Sequence, residues 1–171
     1  MTREPYDGET QPMRTRPLAT GDQAVLWDLL HVALWDPPPA PPRPRSVLDD
    51  ARVRIYAESW GRAGDVGVIG EIAQGGSIVG ACWMRLLRDR QGLAYVDDET
   101  PQLGIAVFAQ FQQRGFGERL MREAMRAARA AGRRQVSLTV HPRNPAVALY
   151  ERCGFRGAGL RNAYHLMLAP L

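Results

Sequence analysis

Lysine is absent from this chain: all 22 basic side chains are arginines, set against 18 acids for a formal net charge of +4. A surplus of that size suits a phosphate-bearing ligand. It falls short of the dense basic face that marks nucleic acid as a partner, and none is expected. Arginine without lysine, in a chain rich in Ala, Gly and Pro, is also what GC-rich coding leaves behind. Cysteine is scarce. Cys82 and Cys153 are the only two, too few to hold a metal by themselves, and they read as reduced thiols of a cytoplasmic protein with no metal centre. No run approaches the roughly 18 consecutive apolar residues of a spanning helix, and no basic segment, apolar core and cleavage site stand at the N-terminus. Neither a membrane nor secretion is therefore expected. What the chain does have is 171 residues, 45% of them apolar, the proportions of one soluble domain with a sizeable core.

Residues 1–12 are polar and without apolar period, so they read as a flexible tail, with one domain over 13–171. Met13 to Pro17 reads as a short strand. Gly21 and Asp22 then open a helix with Val25, Leu26, Leu29, Leu30 and Ala33 at helical spacing, Asp22 being the expected N-cap. The run from Pro37 to Pro44 excludes helix and central strand, because each proline lacks a donor and fixes its own φ. It reads as a stiff surface loop, either on the substrate side or a spacer. Ser46 is the expected cap of a second helix through Val47, Leu48, Ala51, Ile55 and Trp60, ending at Gly61.

The period then changes. Val66 to Ile72 and Ile78 to Leu86 are β-rich and flank Gln74-Gly-Gly-Ser77, a hairpin composition. A polar stretch, Asp89 to Pro101, precedes a strand from Gln102 to Phe108 and a long helix, Glu118 to Ala131, closed by Gly132. That helix carries an apolar stripe of Leu120, Ala124, Ala127 and Ala131, with Met121, Met125 and Ala128 beside it and its arginines mostly on a solvated face. A strand at Gln135 to Val140, a short helix from Pro145 to about Arg152 and a strand near Tyr164 to Leu168 complete a mixed α/β order with a strand–helix–strand crossover.

Between that crossover's first strand and its helix lies Gln112-Gln-Arg-Gly-Phe-Gly117, followed by Glu118. Backbone N–H groups without partners gather here at the positive end of a helix dipole, the arrangement that binds anions. Gly115 and Gly117 leave the backbone open to close approach, and Gln112 and Arg114 add side-chain donors. The same two glycines are compatible with an ordinary tight turn. No Lys-Ser/Thr pair follows and no Gly-x-Gly-x-x-Gly is present, so neither a Walker loop nor a dinucleotide fingerprint applies.

Leu103-Gly-Ile-Ala-Val-Phe-Ala-Gln-Phe-Gln-Gln-Arg-Gly-Phe-Gly117, followed by Asn144-Pro-Ala-Val-Ala-Leu-Tyr-Glu-Arg-Cys-Gly-Phe155, resembles the GNAT superfamily of acetyl-CoA-dependent N-acetyltransferases. The resemblance implies an α/β fold of one domain: a central, mostly antiparallel sheet with one parallel, splayed strand pair, flanked by helices. It implies acetyl-CoA as the acyl donor, its pyrophosphate cradled by the segment Gln112, Gln113, Arg114, Gly115, Phe116, Gly117 and Glu118. A bulge in the strand ending at Val107 would expose backbone donors near Ile105 and Val107 to the pantetheine and the acetyl carbonyl. Asn144 would lie beside the pantetheine arm while also capping the short helix that Pro145 opens. Tyr150 matches the tyrosine near the thioester sulfur, a phenol that stays protonated at neutral pH and can donate to the leaving thiolate.

The base is the open question. Where many relatives place a Glu on the central strand this chain has Gln102, which cannot ionise. Glu99 and Asp98 are the first candidates to take the acceptor's proton, although Asp97, Asp98 and Glu99 also read as a solvated turn. Glu71 and His141 are further candidates; Asp65 is a candidate contact for a cationic acceptor or part of a Gly-Asp turn; Cys153 reads as packing. The expected activity is acetyl transfer to a primary amine, small molecule or peptide, by direct attack without an enzyme-bound intermediate. The other reading is a non-catalytic acyl-CoA-binding sensor. A homodimer is compatible with the family but has no signal in the residues.

Overall fold

Seven strands make one sheet in the computed structural model, which describes residues 12–171. In chain order they are β1 (Met13–Pro17), β2 (Val66–Ile72), β3 (Ile78–Arg85), β4 (Gln102–Val107), β5 (Gln135–Val140), β6 (Arg156–Arg161) and β7 (Tyr164–Pro170). Across the sheet they run β1-β2-β3-β4-β5-β7-β6, antiparallel throughout except between β4 and β5. Four helices flank it: α1 (Gln23–Ala33), α2 (Ala51–Arg54), α3 (Phe116–Ala130) and α4 (Val147–Arg152). Apart from Pro12, the expected tail lies outside the described residues. No helix among those described is long and apolar enough to cross a membrane.

The central strands read as unbroken apolar runs because both faces of the sheet are covered. Successive side chains alternate between faces. Val68, Cys82 and Met84 join Leu120, Met121, Ala124 and Ala128 of α3 in one core, together with Val136, Leu138 and Phe155. Ile69, Ala81 and Trp83, one residue out of phase, join Leu26, Leu29 and Leu30 of α1 with Trp60 in the other. Full burial of each such Leu contributes about 1.5–3 kcal/mol. The buried stripe of α3 runs through Leu120, Met121, Ala124 and Ala128, so Ala127 and Ala131 are not core positions as the spacing implied. Ala131 already lies past the last helical residue, and Gly132 at φ +82° closes the helix.

The expected second helix is mostly not formed. Pro44 leads into a 3-10 turn over Arg45–Asp49, and α2 is a single turn capped by Asp50, which accepts from the Arg52 N–H at 2.9 Å; Ser46 caps nothing. Asp22 also works differently from expectation. Its carboxylate accepts from the Ala19 N–H (2.8 Å) and from Arg16 rather than from the first turn of α1. Strand β6, with Gly157 and Gly159 and five exposed residues, has no apolar period and was not anticipated; it forms an edge on β7.

The sheet opens in the middle. Strands β4 and β5 share one pairing, Gln102 with Ser137, and diverge beyond it. The implied splay is therefore present, but the implied bulge is not: β4 stays in continuous register with β3 from Gly80/Val107 to Arg85/Gln102.

Candidate active site

The divergence of β4 and β5 leaves β4 without a ladder partner on that side and opens a cleft of about 820 Å³. Its walls come from the end of α1, residues 47–56, residues 90–94, β4, β5 and the start of α4. Gly104 of β4 sits opposite Trp83 of β3, and a Cβ there would come within 2.5 Å of the Trp83 ring. The missing side chain lets the indole cross the strand and join the wall, its Nε1–H held by the Tyr56 carbonyl at 3.1 Å.

Helix α3 begins below the far end of β4. Gln113 (φ +59°) and Gly115 (φ +80°) adopt left-handed conformations on either side of Arg114, a backbone path that turns successive N–H groups to one side. The N–H groups at the start of α3 have no intrahelical acceptor. The first bond of the helix is Arg119 N–H to the Gly115 carbonyl. The built position of a Gly117 Cβ lies between Val107 of β4 and Leu149 of α4, at 3.8 and 3.5 Å, so Gly117 faces the mouth of the splay. The side chains of this segment do other work. Gln112 Nε2 donates to the Val107 carbonyl at 2.9 Å and ties the loop to β4; the Phe116 ring is buried against Phe111. Arg114 stacks its guanidinium 6.0 Å from the Phe111 centroid. Glu118 bridges to Arg122 and Arg152, which hold its carboxyl below the usual range and fasten α3 to α4.

On the opposite lip, Asn144 Oδ1 accepts from the Ala146 N–H (2.9 Å), an Asx turn after which α4 starts at Val147, two residues later than expected. Tyr150, Asn144 and Ile105 all line the cleft. Burial pushes the Tyr150 phenol above its ordinary pKa, the ring meets Phe155 edge-on, and among the described residues its hydroxyl has no hydrogen-bond partner. Cys153, buried in the core behind it, is likewise raised by burial.

The structure does not bring the carboxylate candidates for the base to the cleft. Asp98 accepts from the Tyr95 hydroxyl (2.8 Å) and Glu99 is exposed, both on a turn that Asp97 fastens by accepting from the N–H groups of Glu99 and Thr100. Neither lines the cleft. Glu71 pairs with Arg16 between β2 and β1. Asp65 is buried and grips Arg85 of β3 through two hydrogen bonds, 2.9 and 2.7 Å, while Arg85 also donates to the carbonyls of Ile55 and Glu58. Gln102 is buried and occupied: Oε1 accepts from Tyr56 OH and the Ala94 N–H, and Nε2 donates to the Gln91 carbonyl. It staples residues 91–94 into the wall. His141 does line the cleft, between Trp35 and Tyr164. Its Nδ1 accepts from the Arg143 N–H at 3.1 Å, so the neutral ring carries its proton on Nε2 and is a donor.

The proline loop is fastened to the rim. Arg43 binds Asp36 at both ends of the carboxylate (2.6 and 2.7 Å) and reaches Tyr164 OH, and His31 Nε2 meets the Arg43 carbonyl. Sequence reasoning missed Arg43, Arg85, Tyr56 and Trp35 as builders of this wall, because their partners lie 7 to 121 residues away with no local pattern.

Comparison with known proteins places this arrangement. No curated protein matches the sequence significantly. Among solved structures, a GNAT-family acetyltransferase from Streptococcus pneumoniae is 20% identical, with a TM-score of 0.63 over 94% of this chain and 100% of that one. Mutant forms of the spermidine/spermine N-acetyltransferase SpeG from Vibrio cholerae give 19%, a TM-score of 0.60 and coverage of 93% and 95%. The PaiA N-acetyltransferase from Thermoplasma acidophilum, in complex with coenzyme A, gives 11%, a TM-score of 0.64 and coverage of 94% and 99%. At these identities the likeness is one of fold. The model of the acetyltransferase (GNAT) family matches residues 27–155, three quarters of the sequence and all of the cleft's central strands, and this chain belongs to that family.

Proposed function

We propose that the protein, as one domain over 13–171, transfers the acetyl group of acetyl-CoA to a primary amine by direct attack. One observation carries the reading: Gly117 at the start of α3 lies between Val107 at the end of β4 and Leu149 of α4, beside the splay of β4 and β5, and the unpartnered Tyr150 lines the cleft which that splay opens. The residues fit the donor. The N–H groups of Gly115, Phe116 and Gly117 suit a pyrophosphate, the free edge of β4 around Ile105 suits an amide-bearing arm, and Asn144 closes the other side. The thioester supplies an activated acetyl group and a good leaving thiol.

The chain's own part is to align, to polarise and to move a proton. Backbone donors of β4 stabilise negative charge as it develops on a carbonyl oxygen. Tyr150 holds its proton at neutral pH and donates it to the departing sulfur; the acceptor nitrogen sheds its remaining extra proton to solvent as the amide forms, and Tyr150 recovers one from solvent. No carboxylate of ordinary basicity lines the cleft. Asp50, the single one there, is lowered to about 2 by the Arg52 guanidinium and its own cap. The acceptor therefore loses its proton to water and attacks as the neutral amine.

The sensor reading draws on the same facts, since Gln102 is committed to the wall and no free carboxylate lines the cleft. Turnover separates the two. Free-thiol release from acetyl-CoA with pooled primary amines, above the amine-free blank, is expected of the transferase; saturable acetyl-CoA binding with no release for any amine class is expected of the sensor.

A further inference from the structure

The acceptor half of the cleft is rich in apolar surface and donors and poor in acceptors. Trp35, Tyr56, Trp83 and Leu93 give it an aromatic and aliphatic body. Three arginines line it, Arg43, Arg52 and Arg90, against one carboxylate, Asp50. Both oxygens of Asp50 are taken by Arg52, and Arg43 is neutralised by Asp36. Arg90 is exposed on the rim of the cleft and has no ion-pair or hydrogen-bond partner among the described residues. It adjoins the segment that Gln102 and Tyr56 staple in place, and Asp89 and Arg90 hold φ of +56° and +59° there. The His141 ring adds an Nε2–H donor.

A polyamine brings several cations and needs carboxylates to meet them. This lining offers none that is free, and its one uncompensated charge, Arg90, has the same sign as theirs. An amine whose own molecule carries an anion is the complement. We infer that the acceptor is an amino-acid-like amine, an apolar or aromatic body bearing a carboxylate, and that Arg90 is the specificity residue that meets this carboxylate. The inference rests on the transferase reading and narrows its substrate class.

The test uses matched pairs: phenylalanine with phenethylamine, tryptophan with tryptamine, leucine with isoamylamine, and spermidine as the polycation, each at fixed acetyl-CoA with thiol release followed. The carboxylated member of at least one pair is expected to lead its partner in kcat/KM by about tenfold, the worth of one hydrogen bond to a charged group. Arg90→Gln should erase that lead by raising the KM of the amino acid, with kcat and the decarboxylated partner's KM unchanged, and Arg90→Lys should restore part of it. Preference for spermidine, preference for the decarboxylated amines, or an Arg90→Gln enzyme with unaltered ratios would overturn the assignment while leaving the transferase intact. Acetyl-CoA binding by calorimetry with no release for any amine would instead remove the transferase reading and this inference with it.

Discussion

The two sides of the cleft are built by different means. The donor side, from β4 through α4, is local and made of backbone: two left-handed residues around Arg114, a helix start and an Asx turn at Asn144, all within consecutive segments. The acceptor side is made of side chains gathered from afar. Arg85 holds residues 55–59 through their carbonyls and Asp65 from β3, Gln102 and Tyr56 hold 91–94, and Arg43 holds the proline loop to Tyr164. Backbone geometry suits a ligand part that does not vary, and distant side-chain contacts can change one at a time, so under the proposed function specificity is expected on the acceptor side.

The sharpest way to break this contrast is to remove a staple. Arg85 and Asp65 are 1% and 4% exposed, and Arg85→Met leaves a buried carboxylate alone, so a stability loss of about 3–5 kcal/mol is expected by urea unfolding. Adding Asp65→Leu should recover much of it. Next comes chemistry without structure: Tyr150→Phe should lower kcat by about 100-fold or more, with the acetyl-CoA dissociation constant little changed by calorimetry. An unchanged kcat would remove Tyr150 from the reaction.

The pH dependence sharpens the same division. With solvent as proton acceptor, kcat/KM should rise about tenfold per pH unit below the amine's own pKa and then level off, whichever amine is used. Because burial raises the Tyr150 and Tyr56 phenols, neither costs activity by ionising below the ordinary tyrosine range. Their sign is that of raised groups: the stability they confer is whole below a pH of about 10 and falls as pH climbs through their folded values. Thermal unfolding should show that alkaline loss, and Tyr56→Phe should flatten it. The smallest effect is expected at Glu118→Gln. Its carboxylate is spent on surface arginines, so acetyl-CoA affinity should move by less than about twofold.

What was legible in the sequence follows the same line. β5 falls at Gln135–Val140 as its alternation implied, and the glycine turn into α3 was readable from Gly115 and Gly117, because both depend on neighbours in the chain. The strap at Arg43, the Arg85–Asp65 pair and the role of Gln102 were not, since each pairs residues that only the folded sheet brings together. β6 escaped notice because an exposed edge strand needs no apolar period. Asp98 and Glu99 looked eligible as bases by their nearness in sequence to β4, yet the chain turns them outward at Asp97 before the strand begins.

The most direct measurement is a calorimetric titration of acetyl-CoA into the wild-type protein and into Gly117→Trp, whose side chain would grow from the mouth of the splay between Val107 and Leu149. Saturable binding by the wild type, lost in the variant at an unchanged unfolding midpoint, is the expected result. A wild type that does not bind, or a well-folded variant that binds equally tightly, would contradict the account.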